Sequence, residues 1–455
     1  MNIVASQISR AIAPTLFRIA GIDIFGFWKW LKETEQWTPQ QRNEWRLRRL
    51  GDILEHCWDN VPFYKEFWSD HRVTIRRPRS FDELKMFPIV SRDMFREHRN
   101  RIIADNLQAI PHKDEATGGT TGSPLKYKQD LSAHALRYAC ALHWWSSIGY
   151  TFGDDICGIM GGSLLPGQSS LKSRLRRRVC CIHGVSCVGM NQNVAKACCD
   201  LIQRYKPTIL YGYPSMAAEF CDCVKERNAV FGSIRAVVTT AEMLLPQYRS
   251  KIEKSLGVPV FDSYGCNDGG VLSLECELHQ GFHYNDLESV IEAESPDASG
   301  VGRCAITNLW NRSMPFVRYE NGDLIALGES KCPCGRVYPL IRSVDGRTGD
   351  ILRFANGRSL SPPGLTLIFK EFPIDAWQVV QTGPAALEIR IKANNRLDAE
   401  KEEYIRKVIW QHLDLNVAIN IRYLEKLATT PQGKLRPVFV ATENERLTNS
   451  DVCAR

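Results

Sequence analysis

The chain has 455 residues, of which 44% are hydrophobic and 24% charged, and this length is enough for two or more structural units with their own cores. The ordinary fraction of charged residues excludes a wholly disordered chain. The net charge of +7, from 58 basic and 51 acidic residues, suits an anionic ligand but is too diffuse to indicate a nucleic-acid-binding protein.

The first 37 residues are apolar in patches and are interrupted by Arg10, Arg18 and Asp23. They match neither a clean signal peptide nor a membrane-spanning helix, so we expect an amphipathic helix that packs on the body of the protein. The alternative is peripheral membrane contact through the aromatic side chains Phe25, Phe27, Trp28 and Trp30. Sixteen cysteines in a chain without a recognisable secretory leader indicate a reduced, cytoplasmic protein.

Two amphipathic helices are predicted in the first third of the chain. The first covers residues 38–60, with Thr38 as its N-cap and Pro39 at the first helical position. The second covers residues 135–150. Just before it lies the segment TGGTTGSP, residues 117–124, whose glycine and threonine content disfavours a helix.

From about residue 155, five short apolar runs alternate with helical segments, which predicts a largely parallel sheet covered by helices on both faces. Ligands bind such sheets beyond the carboxyl ends of the strands. Three of the runs are followed by polar segments, YGYPS at 211–215, TTAE at 239–242 and SYGCND at 263–268. We therefore expect these segments to line a ligand site.

The pattern changes again after residue 345. Asn356 and Gly357 form a predicted hairpin turn, followed by a helix at 398–413 and strands at 418–424 and 436–441. This predicts a small α+β domain over residues 346–455, after an amino-terminal domain over residues 1–345.

The segment at 117–124 offers backbone N–H groups and hydroxyls at a density typical of an anion-binding loop. It lacks the lysine of the Walker phosphate loop, and the chain has no dinucleotide-binding GxGxxG motif. Taken alone, the segment is equally compatible with a solvated turn.

Five segments, in order, resemble the adenylate-forming superfamily of acyl- and aryl-CoA ligases and adenylation domains. They are TGGTTGSP (117–124), VVTTAEML (237–244), DSYGCND (262–268), FVRYENGD (316–323), and GRTGD (346–350) together with the late PQGKLR (431–436). Within the superfamily, LEHCWDNVPFYKEFW (54–68) and CPCGR (332–336) are most similar to the branch of phenylacetate–CoA ligases and the capsular-polysaccharide protein CapK. The resemblance implies an α/β fold, with a large amino-terminal adenylate-forming domain of parallel-rich sheets covered by helices and a small, mobile α+β carboxyl-terminal domain.

The resemblance also implies an ATP site. The residues that would hold the ATP phosphates are Thr117, Gly118, Gly119, Thr120, Thr121 and Gly122. Tyr264 would stack on adenine, Gly265 would permit close approach, and Asn267 would bond the α-phosphate. Asp323 would accept hydrogen bonds from the ribose hydroxyls, with Arg347 as a further ribose or phosphate contact.

The catalytic residues implied by the resemblance are Lys434, Asp268 and Glu242. Lys434 would bridge the substrate carboxylate and the α-phosphate, and the alternative is an ordinary Gly-Lys turn. Asp268, where the family usually has glutamate, would bind Mg²⁺, with Glu242 as a second metal ligand or, alternatively, a surface residue at a helix end. Asp350 stands at the expected hinge between the domains.

Four residues have a zinc-like pattern. Cys332 and Cys334 form a tight Cys-x-Cys turn, and Cys276 lies upstream with a histidine, His283 in preference to His279. We expect a structural Zn²⁺ there, and the alternative is free thiols. A further run of five cations at 172–178 is either a solvated loop or a docking site for the CoA 3′-phosphate or a phospholipid.

The side chains expected near the acid are largely aromatic and favour an aryl or arylacetyl acid, although each is equally compatible with the core: His143, Trp144, Trp145, Tyr211, Tyr213 and Met216. Three functions stay open. The first is ATP-dependent activation of a carboxylic acid followed by transfer to CoA. The second is adenylation followed by ligation to an amine or hydroxyl acceptor, and the third is a non-catalytic binding protein. The partners are thus a small carboxylic acid, ATP, and CoA or another acceptor, without nucleic acid or a transmembrane segment, and a homodimer is compatible with them.

Overall fold

A computed structural model describes residues 2–117, 125–160, 180–187, 190–225, 231–328, 331–347 and 352–441, except 357, 361, 370–371, 414–416 and 431–433. The helices in these ranges are α1 (Asn2–Ile19), α2 (Ile24–Thr34), α3 (Pro39–Asn60), α4 (Pro62–Asp70), α5 (Arg92–Glu97), α6 (Arg99–Ile102), α7 (Leu131–Ser147), α8 (Gln192–Tyr205), α9 (Pro214–Val224), α10 (Pro246–Leu256), α11 (Pro362–Phe369) and α12 (Ala399–Leu413).

The strands in the same ranges are β1 (Val90–Ser91), β2 (His112–Ala116), β3 (Lys126–Asp130), β4 (Ile156–Met160), β5 (Ile182–Ser186), β6 (Ile209–Gly212), β7 (Ala236–Thr240), β8 (Val260–Ser263), β9 (Gly265–Cys266), β10 (Val271–Glu275), β11 (Phe282–Tyr284), β12 (Ser289–Glu294), β13 (Val301–Asn308), β14 (Tyr319–Leu327), β15 (Leu340–Arg347), β16 (Leu352–Arg353), β17 (Ser359–Leu360), β18 (Ala376–Gly383), β19 (Ala386–Lys392), β20 (Ala418–Tyr423) and β21 (Val438–Val440).

The predicted parallel sheet is present and has the order β5-β4-β6-β7-β8, with every neighbouring pair parallel. Alternate side chains enter different cores, because a strand directs successive residues to opposite faces. Ile156 and Val238 pack with the residues of α2 and α7, whereas Cys157 and Val237 pack with those of α8 and α9. Burial on both faces explains why these strands appear in the sequence as continuous apolar runs.

A second large sheet is mostly antiparallel and was not predicted. Its order is β12-β13-β14-β15-β11-β10-β9, with β1 parallel to β14 at one side. The pairing of β14 with β15 places Asp323 opposite Arg347. Two residues of the proposed ATP site are therefore brought together by strand register.

The amino-terminal region contains two helices rather than one. α2 packs against α7, and Phe25 lies edge-on to Phe152 with ring centroids 4.8 Å apart. α1 keeps Ile12, Leu16 and Ile19 exposed. Among the described residues no single helix is long and apolar enough to cross a membrane. The helical segments Arg10–Ile19 and Ile24–Thr34 are long and apolar enough only when they are taken together, and the chain bends by 104° between them.

The predicted cap of α3 is confirmed in detail. The Thr38 hydroxyl accepts a hydrogen bond from the Gln41 N–H at 3.2 Å, and the Gln41 side chain accepts one from the Thr38 N–H at 2.8 Å. This reciprocal capping box satisfies two N–H groups that the helix cannot pair internally.

The carboxyl-terminal segment has its own sheet in the order β20-β19-β18-β21, with α12 beside it in the chain. The predicted hairpin is present as β16 and β17, which pair antiparallel around Asn356. The β18–β19 hairpin was not predicted, although it forms the centre of this sheet. The predicted hinge residue Asp350 lies outside the described residues.

Glu288, in the turn before β12, is a buried carboxyl group with 3% of its surface exposed. Burial raises its pKa from the usual 4.5 to about 8, against the opposing charge of Arg137. The native state therefore binds this proton more tightly than the unfolded chain, and the free energy of unfolding should fall as the pH rises from 4.5 through 8.

We expect Glu288→Gln to remove a pH-dependent fall in the free energy of unfolding of up to about 5 kcal/mol, which is the value of such a pKa difference. Urea unfolding at pH 6 and pH 9 measures it, with Glu44→Gln on the exposed face of α3 as control. Equal slopes in Glu288→Gln and the parent protein would contradict the expectation.

Candidate active site

The predicted site residues converge at the carboxyl edge of the parallel sheet. Tyr213 follows β6, Thr240 ends β7, and Tyr264 follows β8. The parallel order of these strands brings their carboxyl ends to one edge, as expected for this class of sheet.

Asp323 is the centre of a buried polar network. Its carboxylate accepts hydrogen bonds from the Tyr264 hydroxyl and the Asn321 amide, both at 2.8 Å, and lies 3.2 Å from Arg347 Nε. Burial raises the pKa of Asp323, while the charge of Arg347 and the hydroxyl of Tyr264 oppose that rise. The sequence interpretation missed Asn321, although its position two residues before Asp323 was a usable signal.

Asp268 is buried and lies in a second polar network. It accepts a hydrogen bond from the Tyr319 hydroxyl at 2.8 Å, and Arg92 lies 3.7 Å away. The same Arg92 donates to the Thr117 hydroxyl at 3.1 Å. Arg92 therefore joins Thr117, the first residue of the glycine- and threonine-rich loop, to Asp268.

The sequence interpretation missed Arg92 and Tyr319. Both depend on the pairing of β1 with β14, which places the start of α5 beside the site. No local pattern indicates that pairing. The other predicted residues of the loop, Gly118, Gly119, Thr120, Thr121 and Gly122, lie outside the described residues, as does the basic run at 172–178.

The remaining predicted residues of the adenine segment are near the surface. Gly265 and Asn267 are exposed, and the Asn267 carbonyl accepts a hydrogen bond from the Tyr127 hydroxyl at 3.0 Å. Tyr264 is half-buried, and its hydroxyl donates a hydrogen bond to Asp323.

Lys434 lies at the same edge of the sheet, although it is far away in the sequence. Its Nζ is 5.6 Å from the centroid of the Tyr213 ring. Burial lowers the pKa of Lys434, and the nearby Arg347 lowers it further, whereas Glu242 and Asp323 raise it. The lysine is thus placed among the charged groups of the candidate ATP site.

Glu242 connects this lysine segment to the sheet. One carboxylate oxygen accepts from the Leu435 N–H at 2.6 Å and the other from the Ser215 N–H at 3.1 Å. Burial raises the pKa of Glu242 to about 7, although both N–H groups oppose that rise. The role of Glu242 as a metal ligand stays a prediction, and its two oxygens already have backbone partners.

The four predicted zinc ligands form one cluster. Their ligand atoms all lie within 4.8 Å of one another, with 3.7 Å between the sulfurs of Cys276 and Cys332 and 3.3 Å between Cys334 Sγ and His283 Nε2. His283 Nδ1 lies 3.0 Å from the Tyr338 carbonyl oxygen. This contact suits the tautomer in which Nδ1 carries the proton, so that the lone pair of Nε2 can bind a metal.

The geometry of this cluster fits zinc. Tetrahedral ligands about 2.3 Å from Zn²⁺ would be separated by roughly 3.7 Å, as the Cys276 and Cys332 sulfurs are. His279, the alternative ligand in the sequence interpretation, instead lies 3.0 Å from Glu275.

The aromatic residues expected near the acid divide into two groups. His143 and Trp144 are buried, with His143 Nε2 3.0 Å from the Tyr338 hydroxyl and Trp144 Nε1 donating to the Leu272 carbonyl at 3.0 Å. These two stabilise the core beside the cluster of Cys276, His283, Cys332 and Cys334. Tyr213 and Met216 are also buried.

Trp145 and Tyr211 differ from that group because both are only half-buried. Their ring centroids are 5.2 Å apart. Tyr211 lies on β6, one of the strands that lead to the site. These two rings are therefore the members of the predicted set that best suit contact with a small molecule.

Comparison with known proteins finds AMP-binding enzymes and ligases. A family model for AMP-binding enzymes matches residues 178–300. Phenylacetate-coenzyme A ligase of Thermus thermophilus is 26% identical over 434 residues, covering 86% of this chain and 94% of the relative. Protein CapK of Staphylococcus aureus is 20% identical, covering 86% and 88%.

Solved structures share the fold over nearly the whole chain. 2-Hydroxyisobutyryl-CoA ligase in its postadenylation state superimposes with a TM-score of 0.71 at 19% identity, covering 93% of this chain and 94% of the other. The same ligase in its thioesterification state gives a TM-score of 0.57 at 20% identity, with the same coverage.

The AMP-binding match and the relatives named as ligases identify the chain as an enzyme similar to adenylate-forming ligases. The relatives include phenylacetate-CoA ligases and CapK, as the resemblance stated from the five sequence segments predicted.

Proposed function

We propose that this chain is an acid–CoA ligase that activates a carboxylic acid with ATP and then transfers the acyl group to CoA. The observation that carries the proposal is the convergence of Lys434, Asp323 and Arg347 at the carboxyl edge of the parallel sheet. The relatives named as CoA ligases support the choice of CoA as acceptor.

In the first step, a carboxylate oxygen of the acid attacks the α-phosphorus of ATP. A new oxygen–phosphorus bond forms, and the bond from the α-phosphorus to the bridging oxygen of pyrophosphate breaks. Lys434 would stabilise the negative charge on the carboxylate and the α-phosphate, since a fixed cation in a partly buried site acts strongly on developing charge. The product is an acyl-adenylate.

The polar networks have separate roles in that step. Asp323 would accept hydrogen bonds from both ribose hydroxyls, exchanging its contacts with Tyr264 and Asn321 for contacts with the nucleotide. Arg92 and Thr117 would bind the pyrophosphate end. Asp268 would hold Mg²⁺, which neutralises phosphate charge when bound.

In the second step, the thiolate of CoA attacks the acyl carbonyl, and AMP leaves. We propose that residues 346–455 form a separate domain that rotates between the steps, because the acceptor must reach the acyl-adenylate that Lys434 would contact in the first step. Such a rotation about Asp350 would use one site for two reactions in turn. The half-buried pair Trp145 and Tyr211 supports an aryl or arylacetyl acid.

A second candidate function is adenylation followed by ligation to an amine or hydroxyl group. The candidate rests on the resemblance to the capsular-polysaccharide protein CapK, a relative of which 88% is covered and whose name does not specify CoA. The acceptor distinguishes the two functions, while the first step is common to both.

We also propose that Cys276, His283, Cys332 and Cys334 bind a structural Zn²⁺. Three thiolates and one imidazole are a closed ligand set, which is typical of structural zinc and leaves no open coordination position for catalysis. The cluster joins β10, β11 and the turn before β15, so that the metal would stabilise one end of the antiparallel sheet.

Carboxylate-dependent ATP–pyrophosphate exchange across a library of aryl, arylacetyl and aliphatic acids tests the proposed function. We expect exchange with at least one acid and, with that acid, AMP and acyl-CoA when CoA is added. Product only with amines or hydroxyl compounds would support the second candidate. A lack of exchange with every acid would contradict both and favour a non-catalytic binding protein.

A further inference from the structure

Glu242 lies between two segments that are far apart in the sequence. Its carboxylate bonds the N–H of Ser215 in α9 and the N–H of Leu435 in the carboxyl-terminal segment. Leu435 directly follows Lys434. The Glu242 side chain therefore joins α9, at the carboxyl edge of the parallel sheet, to the backbone that carries Lys434.

The contact on the sheet side is a helix cap. The residue before α9, Tyr213, makes no capping hydrogen bond with its side chain, and Glu242 supplies the missing acceptor. A carboxylate is favourable at this end because the first N–H groups of a helix are unpaired and carry partial positive charge. The same Tyr213 ring lies 5.6 Å from Lys434 Nζ.

The contact on the lysine side fixes a short turn. Lys434 N–H donates to the Thr430 hydroxyl at 3.1 Å, and Thr430 N–H donates to the Lys434 carbonyl at 2.8 Å. The bond from Leu435 to Glu242 anchors this turn at the next residue. Holding both peptide groups around Lys434 restricts the direction in which its side chain can extend.

The backbone before Glu242 is also unusual. Ala241 has a φ of +67°, in the left-handed region that residues with a Cβ rarely adopt. Strained conformations of this kind persist where surrounding contacts hold them and are common at functional sites. Here the residue in this conformation, Ala241, directly precedes Glu242, whose carboxylate is bonded to both segments.

We propose that Glu242 is a positioning residue, which docks the Lys434 segment in the orientation for adenylation and has no part in transfer to the acceptor. The inference rests on the proposed function, because it assigns Lys434 to the first step. The Leu435 contact joins the sheet to the carboxyl-terminal segment, so any rotation of that segment would break it.

The variant Glu242→Gln tests the proposal. Glutamine keeps the size of the side chain but replaces one acceptor oxygen with an NH₂ group, which would face a backbone N–H. We expect the kcat of ATP–pyrophosphate exchange to fall by about 10- to 100-fold, as for loss of a hydrogen bond to a charged group, with little change in the KM for ATP. Formation of thioester from added acyl-adenylate should stay within about twofold of the parent protein.

Glu219→Gln is the matched control, because Glu219 pairs with Lys392 of the carboxyl-terminal segment at 3.8 Å, whereas Glu242 bonds Leu435. We expect both half-reactions to remain within about twofold, as for loss of a partly exposed ion pair. Equal loss of adenylation in the two variants would overturn the inference, since it would show a general effect of charge between the segments.

Hydrogen exchange supplies a test that needs no activity. The Leu435 and Ser215 amides should exchange faster in Glu242→Gln than in the parent protein and in Glu219→Gln. The inference would be overturned by unchanged hydrogen exchange at the Leu435 amide or by an equal loss of both half-reactions. A higher Mg²⁺ requirement together with unchanged hydrogen exchange would also overturn it. If the parent protein activates no acid, the proposed function fails, whereas hydrogen exchange still decides whether Glu242 docks this segment.

Discussion

Lys434→Ala is expected to lower ATP–pyrophosphate exchange by about 100- to 1,000-fold, the usual loss when one preorganised group that stabilises transition-state charge is removed. The physical reason is the surroundings of the lysine, which is half-buried near Asp323, Arg347 and Glu242. Water cannot easily replace a cation held in such a site. The measurement is the initial rate of exchange with the best acid of the library.

Transfer from added acyl-adenylate to CoA separates the role of the lysine from general damage to the fold. We expect this second step to persist in Lys434→Ala. Lys407→Ala, on the exposed side of α12, is the control and should keep full exchange. Exchange at the parent rate in Lys434→Ala would show that another group stabilises the adenylation step.

Cys332→Ser is expected to remove bound zinc and to lower the free energy of unfolding by about 4 kcal/mol, in the range of mutations that remove a structural metal site. The sulfurs of Cys332 and Cys276 are 3.7 Å apart. Both residues are buried, and Cys332 lies in the turn that leads into β15. Without the metal, thiolates this close repel one another or take up protons. The metal content and urea unfolding of the purified variants measure the effect.

Cys223→Ser is the control for the zinc prediction, because this half-buried thiol lies in a different part of the fold. It should retain zinc and lose little stability. A parent protein without zinc after expression in zinc-supplemented medium would contradict the assignment, and the four side chains would then be free thiols and an imidazole.

The parallel sheet and the site segments could be predicted because their signals are local. The strands β4 to β8 correspond to short apolar runs, three of which are followed by polar segments, and burial on both faces of a parallel sheet favours such runs. Thr38 and Pro39 likewise mark the start of α3 within a few residues. Gly383, at the end of β18, and Pro384, which follows it, were a comparable turn signal that the interpretation did not use.

The functions of His143 and Trp144 show where sequence reasoning reaches its limit. Aromatic residues near a predicted pocket suit either substrate contact or the core, and the helical pattern of α7 does not distinguish them. Their burial against Tyr338 depends on the turn that contains Cys332 and Cys334, almost two hundred residues later in the chain. Of the six side chains expected near the acid, only Trp145 and Tyr211 are half-buried rather than buried.

The sequence by itself determined the resemblance to adenylate-forming enzymes, the parallel sheet and the choice of candidate site residues, because these depend on short motifs and on alternation between neighbouring residues. The tertiary structure alone decided that Arg92 joins Thr117 to Asp268, that Asn321 and Tyr264 bond Asp323, and that Glu242 bonds the backbone beside Lys434. These partners come from distant segments. Their contacts arise from strand register and from packing between segments, which no local pattern specifies.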